Sequence, residues 1–277
     1  MGCRKLINLP DEFPESESIY EKKYAAIDLE TTGLSFRSDR VVEIGIVVWQ
    51  KGKKTREFAT LINPERPISK NSYRIHGINN RMVADSPTFR EIADEVSEIL
   101  RDTIILGYNI FAADLSFLNK ELREAGRRPI FNPIIDTYLV SRKCFPSLKS
   151  RSLRSVAENI GIKVGATHRA LEDARLTMKI WLKMLEKFRA QGIETFRELK
   201  ELGYLNGKIK HKAREILELA RETGFVKIVY QSPYSGRTER VIEPISIRGS
   251  KIDAYCHLRE DFRTFELSRI VEIKGVG

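Results

Sequence analysis

Five side chains suited to hydrolytic chemistry stand in well-separated stretches of this sequence. Asp28 and Glu30 lie in AAIDLETTGL, Asp114 lies in GYNIFAADLSFL, and His168 and Asp173 lie in GATHRALEDARLT. Four carboxylates and one imidazole can hold two divalent cations and activate a water molecule. The set therefore predicts metal-assisted hydrolysis of a phosphodiester.

The acidic pair Asp28 and Glu30 is two residues apart at the end of a predicted strand. The two-residue period of a strand directs both side chains to one face, where both can bind one metal ion. Acidic pairs at strand ends are most often solvated turns, so the pair gains meaning from the Thr31–Leu34 stretch that follows. Gly33 permits a tight turn that brings the backbone close to a ligand.

The other three residues have structural explanations as well as catalytic ones. Asp114 begins a predicted helix, where the helix dipole alone would favour a carboxylate. His168 precedes the long helix that carries Asp173, and an isolated histidine there would be a surface loop residue. A histidine that titrates near neutral pH is also suited to act as a general base.

Taken with their flanking residues, these motifs resemble the DEDDh (DnaQ-like) 3′→5′ exonucleases over roughly residues 22–185. The flanking residues are Gly107-Tyr108-Asn109, Phe117-Leu118 and HRALEDA with Thr177. The resemblance implies an α/β fold of the ribonuclease H-like kind, with a mixed sheet and flanking helices. It also implies a reaction that releases nucleoside 5′-monophosphates from a nucleic acid, most readily from single-stranded 3′ ends.

The same resemblance implies a role for each site residue. Asp28 would bridge two Mg²⁺ or Mn²⁺ ions, Glu30 and Asp173 would complete one metal site, and Asp114 would complete the other. His168 would accept the proton of the attacking water. The residues implied to bind the terminal nucleotide are Thr31, Thr32, Gly33, Leu34 and Asn109.

Three details of this implied site lead to separate expectations. Leu34 would pack on the last base, although ordinary core packing is the alternative. Asn109 and Asp114 are five positions apart where the family usually has four, so a local bulge should still deliver Asp114. We expect His76, in RIHGI, to be structural.

Composition supports a polyanionic partner without proving one. The chain has 277 residues and a net charge of +10, which suggests two domains and is compatible with nucleic acid. Segment 141–155 carries five basic residues and no acidic one; we expect it to face the strand, with a solvated loop as the alternative.

Three dispersed cysteines without a CxxC pair argue against a disulfide framework or a zinc site. With no apolar run long enough to span a membrane, they favour a cytoplasmic protein with no membrane partner.

The predicted organisation is a flexible arm (1–21), the exonuclease domain (22–186), a helical linker (187–207) and a small all-β module (208–277). The module resembles the C-terminal part of WYL domains through Tyr230, Pro244 and YCHLREDFRTFELSRI, with DAYCHL where a Trp-Tyr-Leu triplet is expected. This implies a small Sm-like or SH3-like barrel.

The resemblance also implies a groove on this module for nucleic acid or a nucleotide-like ligand, formed by Tyr255, Arg259, Arg263 and Arg269. Arginine and tyrosine together suit phosphate pairing and base stacking. The alternative is a structural barrel whose arginines pair with Glu260, Asp261 and Glu266.

Two functional hypotheses follow, and they belong to different classes. The first is a metal-dependent exonuclease, for which a polymerase partner is possible. The second is a non-catalytic protein that binds nucleic acid or senses a nucleotide through the WYL-like module. The complete set of five residues favours the first, and we then expect residues 1–190 to suffice for cleavage of short substrates.

Overall fold

A computed structural model describes residues 13–165, 168–205, 211–234 and 236–275. The strands are β1 (Tyr24–Thr31), β2 (Val41–Gln50), β3 (Lys53–Leu61), β4 (Ile104–Gly107), β5 (Ile134–Asp136), β6 (Val226–Ser232), β7 (Gly236–Arg248), β8 (Lys251–Cys256), β9 (Asp261–Glu266) and β10 (Ile270–Lys274). The helices are α1 (Lys70–His76), α2 (Asn80–Val83), α3 (Phe89–Leu100), α4 (Asp114–Glu124), α5 (Thr137–Cys144), α6 (Leu153–Asn159), α7 (Ala170–Ala190), α8 (Phe196–Glu201) and α9 (His211–Thr223).

The first sheet is mixed and has the strand order β3-β2-β1-β4-β5. Strands β1, β2 and β3 form an antiparallel meander, whereas β4 and β5 continue the sheet in parallel with β1. A parallel neighbour requires a crossover connection, which the segment containing α1, α2 and α3 provides between β3 and β4. This arrangement confirms the predicted mixed sheet with flanking helices.

Two apolar layers cover the two faces of this sheet. One layer contains α3 and α4 and includes Ile44 and Phe117; the other contains α5 to α8 and includes Val47 and the fully buried Trp181. Strand β2 is buried along almost its whole length, as its β-branched sequence predicts for a strand covered on both faces.

Gly45 lets the first turn of α7 lie directly against the sheet. A Cβ atom at this position would overlap the backbone of Ala170 and Leu171. Gly45 stands opposite Asp28 in the pairing of β1 with β2. The start of α7 is therefore held beside the acidic end of β1.

In the described residues the predicted flexible arm packs on the first domain, and the predicted linker contains the helix α8 and packs there as well. Ile19 is fully buried, and the ring of Phe13 stacks on Phe196 with 5.4 Å between centroids. Ser18 forms a β-bridge with Thr195. Both segments thus belong to the core of the first domain, while residues 1–12 and 206–210 lie outside the described residues.

The second sheet is antiparallel, with the order β10-β6-β7-β8-β9, and α9 packs on one face. In the described part of the chain its edge strands β9 and β10 do not pair, so the structure shows an open sheet. Closure into a barrel stays a prediction. Cys144 and Cys256 are buried and free, and none of the described helices has the length and apolarity needed to cross a bilayer.

Candidate active site

Asp28, Glu30 and Asp173 meet at one point on the first sheet. Each offers a carboxylate oxygen, and these three oxygens lie within 4.8 Å of one another. Asp28 and Glu30 come from the end of β1 and Asp173 from the first turn of α7. The structure thus brings together three of the four carboxylates that the sequence singled out.

Asp114 lies next to Asp28, at the first position of α4. Its carboxylate accepts a hydrogen bond from the backbone N–H of Leu29 on β1. Its negative charge is also one of the causes that raise the pKa of Asp28. The fourth carboxylate is therefore part of the same cluster.

The extra residue before Asp114 is absorbed by a turn. Asn109 has a left-handed backbone with φ of 61°, which asparagine tolerates better than most residues. Its N–H donates to Oδ1 of Asp136 at 2.9 Å, and its carbonyl accepts from Ala112 at 2.9 Å. The predicted bulge is present, and Asp136, which the sequence did not single out, anchors it.

Burial and repulsion between carboxylates dominate the electrostatics of the cluster. Burial, followed by the charges of Asp114 and Asp173, raises the pKa of Asp28 well above its ordinary value. Burial and neighbouring carboxylates raise the pKa of Glu30 to about 8, and burial is the main cause that raises the pKa of Asp114 to about 7. Crowded carboxylates of this kind hold protons until a cation replaces them.

The residues fit a divalent cation. Oδ1 of Asp173 is buried and accepts no hydrogen bond among the described residues, although the Arg154 guanidinium lies 3.5 Å away. Carboxylate oxygens are the ligands that hard cations such as Mg²⁺ and Mn²⁺ prefer. An unused buried oxygen inside an acidic cluster is what such an ion requires.

His168 stands at the edge of the cluster. Its Nδ1 is 3.7 Å from Oδ2 of Asp173, which is too long for a hydrogen bond, and its side chain is 50% exposed. Such an exposed imidazole beside the acidic cluster is within reach of water. General bases often lie at long distances in the absence of substrate.

Glu43 is a functional residue that the sequence reading missed. It is buried on β2, opposite Glu30, and accepts hydrogen bonds from Arg169 at 2.5 and 2.9 Å and from the Ala170 N–H at 3.0 Å. It therefore fixes the residue after His168 and caps the start of α7. The signal was available: Glu43 is the one charged residue in an otherwise apolar strand.

The loop after β1 is closed by Asp39. Thr32 is buried and donates from its hydroxyl to Asp39 Oδ1 at 2.9 Å, so its side chain stabilises the loop, and its contact with substrate stays a prediction. The Thr31 hydroxyl donates to the carbonyl of Gly33 at 2.6 Å. Leu34 is 93% exposed, which excludes the core alternative.

His76 supports this loop from behind. Its Nδ1 accepts from the Ile78 N–H at 3.0 Å, so Nε2 carries the proton that faces the carbonyl of Thr31 at 3.3 Å. Burial lowers the pKa of His76, which favours this neutral form. The contacts agree with the expected structural role.

Only part of the basic segment 141–155 faces outward. Arg151 donates to the carbonyls of Ser141 and Pro146, at 3.4 and 3.1 Å, and Lys143 donates to the carbonyl of Gly203. Arg154 turns toward Asp173. Arg142, Lys143 and Lys149 are exposed, and the expectation that the segment faces the strand stays a prediction.

The predicted groove on the second sheet does not include Tyr255. In the β8–β9 ladder Tyr255 stands opposite Phe262, whereas Arg263 stands opposite Ala254 one position away. Tyr255 and Arg263 therefore point to opposite faces, and the Tyr255 ring lies 3.5 Å from the guanidinium of Arg123 on α4. Tyr255 is partly buried against the first domain, on the face opposite to Arg263.

The three arginines themselves remain on the surface. Arg259, Arg263 and Arg269 are exposed, and Arg263 has Asp261 3.5 Å from its guanidinium. That ion pair is one that the structural-barrel alternative named. The arginines stay candidates for an anion-binding surface, now without an aromatic partner at Tyr255.

A cleft of about 260 Å³ opens beside Asp114, between the two domains. Its walls are the loop Leu34–Arg37, the start of α4 and, from the second sheet, Thr264. The guanidinium of Arg37 donates to the Thr264 hydroxyl at 3.1 Å across the rim. Both domains therefore shape the surroundings of the acidic cluster.

Comparison with known proteins agrees with this site. The family model described as Exonuclease matches residues 25–181, and the WYL domain model matches residues 212–274. The DNA polymerase III subunit epsilon of Aquifex aeolicus is 33% identical over 194 residues, which cover 70% of this chain and 96% of that protein. The 3′-5′ exonuclease DinG of Bacillus subtilis is 33% identical over 183 residues, 66% of this chain but 20% of DinG.

Solved structures share the fold at low identity. Exonuclease I of E. coli, in the zinc-bound complex with single-stranded DNA, superposes with a TM-score of 0.59 and 16% identity. The match covers 92% of this chain and 65% of that one. The chain therefore belongs to the DnaQ-like family of 3′→5′ exonucleases and carries a WYL domain behind its exonuclease domain.

Proposed function

We propose that this chain removes nucleotides from the 3′ end of single-stranded DNA with the help of two divalent cations, Mg²⁺ or Mn²⁺. The observation that carries the proposal is the meeting of Asp28, Glu30 and Asp173 within 4.8 Å, with Asp114 beside Asp28. Relatives named as DNA polymerase III subunits support DNA as the substrate.

The acidic residues divide the work by position. Asp28 is a neighbour of Asp114 as well as of Glu30 and Asp173, so it would serve both ions. Bound divalent cations supply positive charge to the reacting phosphate and make water more acidic. His168, at the solvent edge of the cluster, accepts the proton of the attacking water, and a nucleoside 5′-monophosphate leaves.

The terminal nucleotide is bound by the loop after β1. Leu34 is almost fully exposed and stands over the cleft beside Asp114. In this position the side chain of Leu34 packs on no core among the described residues, and a base of the terminal nucleotide would cover it. The cleft below, at about 260 Å³, has room for a nucleobase.

The test is a substrate panel. Labelled single-stranded DNA, duplex DNA, single-stranded RNA and a dinucleotide are incubated with Mg²⁺, Mn²⁺ or EDTA. We expect stepwise shortening of the DNA strand from its 3′ end, release of 5′-monophosphates, and no reaction in EDTA. RNA cleaved faster than DNA would change the substrate class, while strands bound but not cleaved would favour the non-catalytic sensor.

The role of Leu34 has its own comparison. Leu34→Ala should raise the KM for a strand about tenfold, since fully burying a leucine side chain contributes roughly 1.5–3 kcal/mol. Leu202→Ala is the matched control, because Leu202 is also exposed but lies in the predicted linker segment and not in the loop after β1. Equal KM values for both variants would remove Leu34 from the binding site.

A further inference from the structure

Helix α4, which begins with the catalytic Asp114, lies against the second sheet along one face. Ser116, Asn119 and Arg123 are three and four positions apart, so they form a single stripe. Ser116 and Asn119 are buried, and every member of this stripe contacts the WYL domain. A polar stripe on a helix is ordinarily solvated, whereas each residue of this one contacts the second domain.

The contact nearest the active site is centred on Asp253 of β8. This carboxylate is fully buried. Its Oδ2 accepts from the hydroxyl of Ser116 at 3.1 Å and from that of Ser246 at 3.2 Å, and its Oδ1 accepts from Thr264 at 2.6 Å. The Ser116 and Ser246 hydroxyls are themselves 2.6 Å apart.

Two further contacts hold the rest of α4. The Asn119 amide donates to the carbonyl of Ile245 at 2.5 Å and accepts from the Ile130 N–H at 2.7 Å. The Arg123 guanidinium donates to Glu243 through two bonds of 2.7 and 2.8 Å. The helix is thus fixed at each of its turns by polar groups of defined geometry.

We infer that Asp253 is a positioning residue for Asp114, acting through Ser116. The WYL sheet thereby helps to fix the geometry of the active site. The inference rests on the proposed function. A buried carboxylate is tolerated only when its oxygens accept hydrogen bonds, and bonds to a charged acceptor are the strong ones. Asp253 therefore prefers one placement of the Ser116 hydroxyl.

Ser116 is two residues from Asp114 and in the same helical turn. The Ser116 N–H donates to the carbonyl of Ala113 at 2.9 Å, which closes that turn around Asp114. Ala113, which precedes the helix, has an irregular backbone with φ of −150° and ψ of −51° and makes no side-chain cap. No side chain of the preceding residue caps the start of α4, and the contact with Asp253 supplies a restraint.

The test compares Asp253→Asn with Glu239→Gln, an exposed acid of the same sheet that pairs with Lys227. The amide nitrogen that replaces one carboxylate oxygen cannot accept from a hydroxyl, so hydrogen bonds to a charged acceptor are lost or replaced by weaker neutral ones. All measurements use the full chain, at temperatures well below the melting temperature of each variant.

Three readouts separate positioning from general stability. We expect the affinity for Mn²⁺, measured by electron paramagnetic resonance without substrate, to fall about 10–100-fold in Asp253→Asn, as is usual for residues that orient metal ligands. Hydrogen exchange of the amides at Leu115–Phe117 should accelerate. In cleavage assays kcat should fall while the KM for the strand changes less than about twofold. Glu239→Gln should match the native chain in all three.

Ser116→Ala breaks the same contact from the side of the exonuclease domain. It should reproduce the loss of Mn²⁺ affinity, and the double variant should be no worse than Asp253→Asn alone, because both changes break one contact. If Asp253→Asn does not fold, Ser116→Ala alone decides. Native Mn²⁺ affinity and native amide exchange in a folded variant would overturn the inference. A native chain that binds Mn²⁺ but cleaves nothing would instead refute the proposed function.

Discussion

Asp28 is a carboxylate whose charged form the folded chain strongly disfavours. It faces Asp114, Asp173 and Glu30, and both burial and these neighbours raise its pKa. A cation would relieve the repulsion, so one side chain links metal binding to stability. Substitution at this position therefore separates the requirements of catalysis from those of folding.

Asp28→Asn should abolish cleavage while the fold is retained. The amide keeps the shape of the side chain but removes a charge that the cation needs. In EDTA at pH 8 the melting temperature should rise, because one repelling carboxylate is gone. Circular dichroism melts and a cleavage assay check both effects, with the exposed Asp102→Asn as control. Activity above a few per cent of native would contradict the assignment of the metal ligands.

The acidic cluster also predicts how stability depends on pH. Glu30 and Asp114 have pKa values raised to about 8 and about 7, whereas carboxyl groups in an unfolded chain titrate near 4. The folded chain therefore binds more protons than the unfolded chain between about pH 4 and 8. Its free energy of unfolding must fall as pH rises through that window.

In EDTA the melting temperature should thus decrease from pH 5 to pH 8 and level off near pH 9. Saturating Mg²⁺ should flatten this profile, since the cation replaces the protons. Glu30→Gln should show a shallower decrease than the native chain in EDTA. A melting temperature that rises with pH over this range would show that the cluster is ionised without metal.

His168→Ala should lower kcat by roughly 10²–10⁴-fold, the usual contribution of general-base catalysis. Strand affinity should change little, because His168 is half exposed and makes no hydrogen bond to Asp173. Single-turnover rates measured from pH 5 to 9 provide the check. If the variant keeps the acidic limb of the native pH–rate profile, a different group accepts the proton.

The start of α7 depends on β2 as much as on its own sequence. Glu43 reaches from the strand to Arg169 and to the Ala170 N–H, and the absence of a side chain at Gly45 allows the close approach. This pairing of a buried acid with a helix start orients both His168 and Asp173. His168 and Asp173, two of the candidate catalytic residues, are therefore oriented by another element.

Glu43→Gln should destabilise the chain by about 1–3 kcal/mol, since a buried group loses charged partners. It should also lower kcat about tenfold, as expected when a supporting residue of a metal site is changed. Urea denaturation and steady-state kinetics measure the two effects. Glu95→Gln, which breaks the exposed pair with Arg56, should cost less than about 1 kcal/mol. Equal losses in both variants would remove Glu43 from this role.

Local patterns predicted the elements of the first domain but not their partners. The strand end with Asp28, the helix that begins at Asp114 and the helix that carries Asp173 are all as expected. The polar stripe of α4 was invisible, because polar residues at helical spacing look the same whether they meet water or a second domain. Asn119 is buried because it contacts Ile245 of the second sheet, which is distant in the sequence.

The prediction of a linker at residues 187–207 missed its packing on the first domain for a related reason. Phe196 and Leu199 are apolar residues within a highly charged stretch, so composition favoured a solvated linker. In the structure both side chains are buried in the same layer as Trp181. A short helix of this kind carries too few apolar positions for its periodicity to be recognised.

The two domains share a hydrophobic core. Ile245 and Phe262 of the second sheet belong to the cluster that contains Phe36 and Phe117, and the rings of Phe36 and Phe262 contact edge to face at 6.2 Å between centroids. Each such buried side chain contributes roughly 1.5–3 kcal/mol. The structure therefore argues against the expectation that residues 1–190 suffice for cleavage.

A chain that ends at Leu205 should lose cleavage of every substrate, dinucleotides included, because the polar stripe of α4 would be exposed and the position of Asp114 would no longer be restrained.

Changing Arg259, Arg263 and Arg269 together to alanine removes surface charge alone, so dinucleotide cleavage should stay native. Long single strands should then bind more weakly, with a shallower salt dependence, if these arginines contact phosphates. Cleavage of dinucleotides and titration of long strands from 50 to about 200 mM salt compare the two proteins. Full dinucleotide cleavage by the shortened chain would make the WYL domain an independent binding module, and an unchanged salt slope in the arginine variant would exclude its surface from the path of the strand.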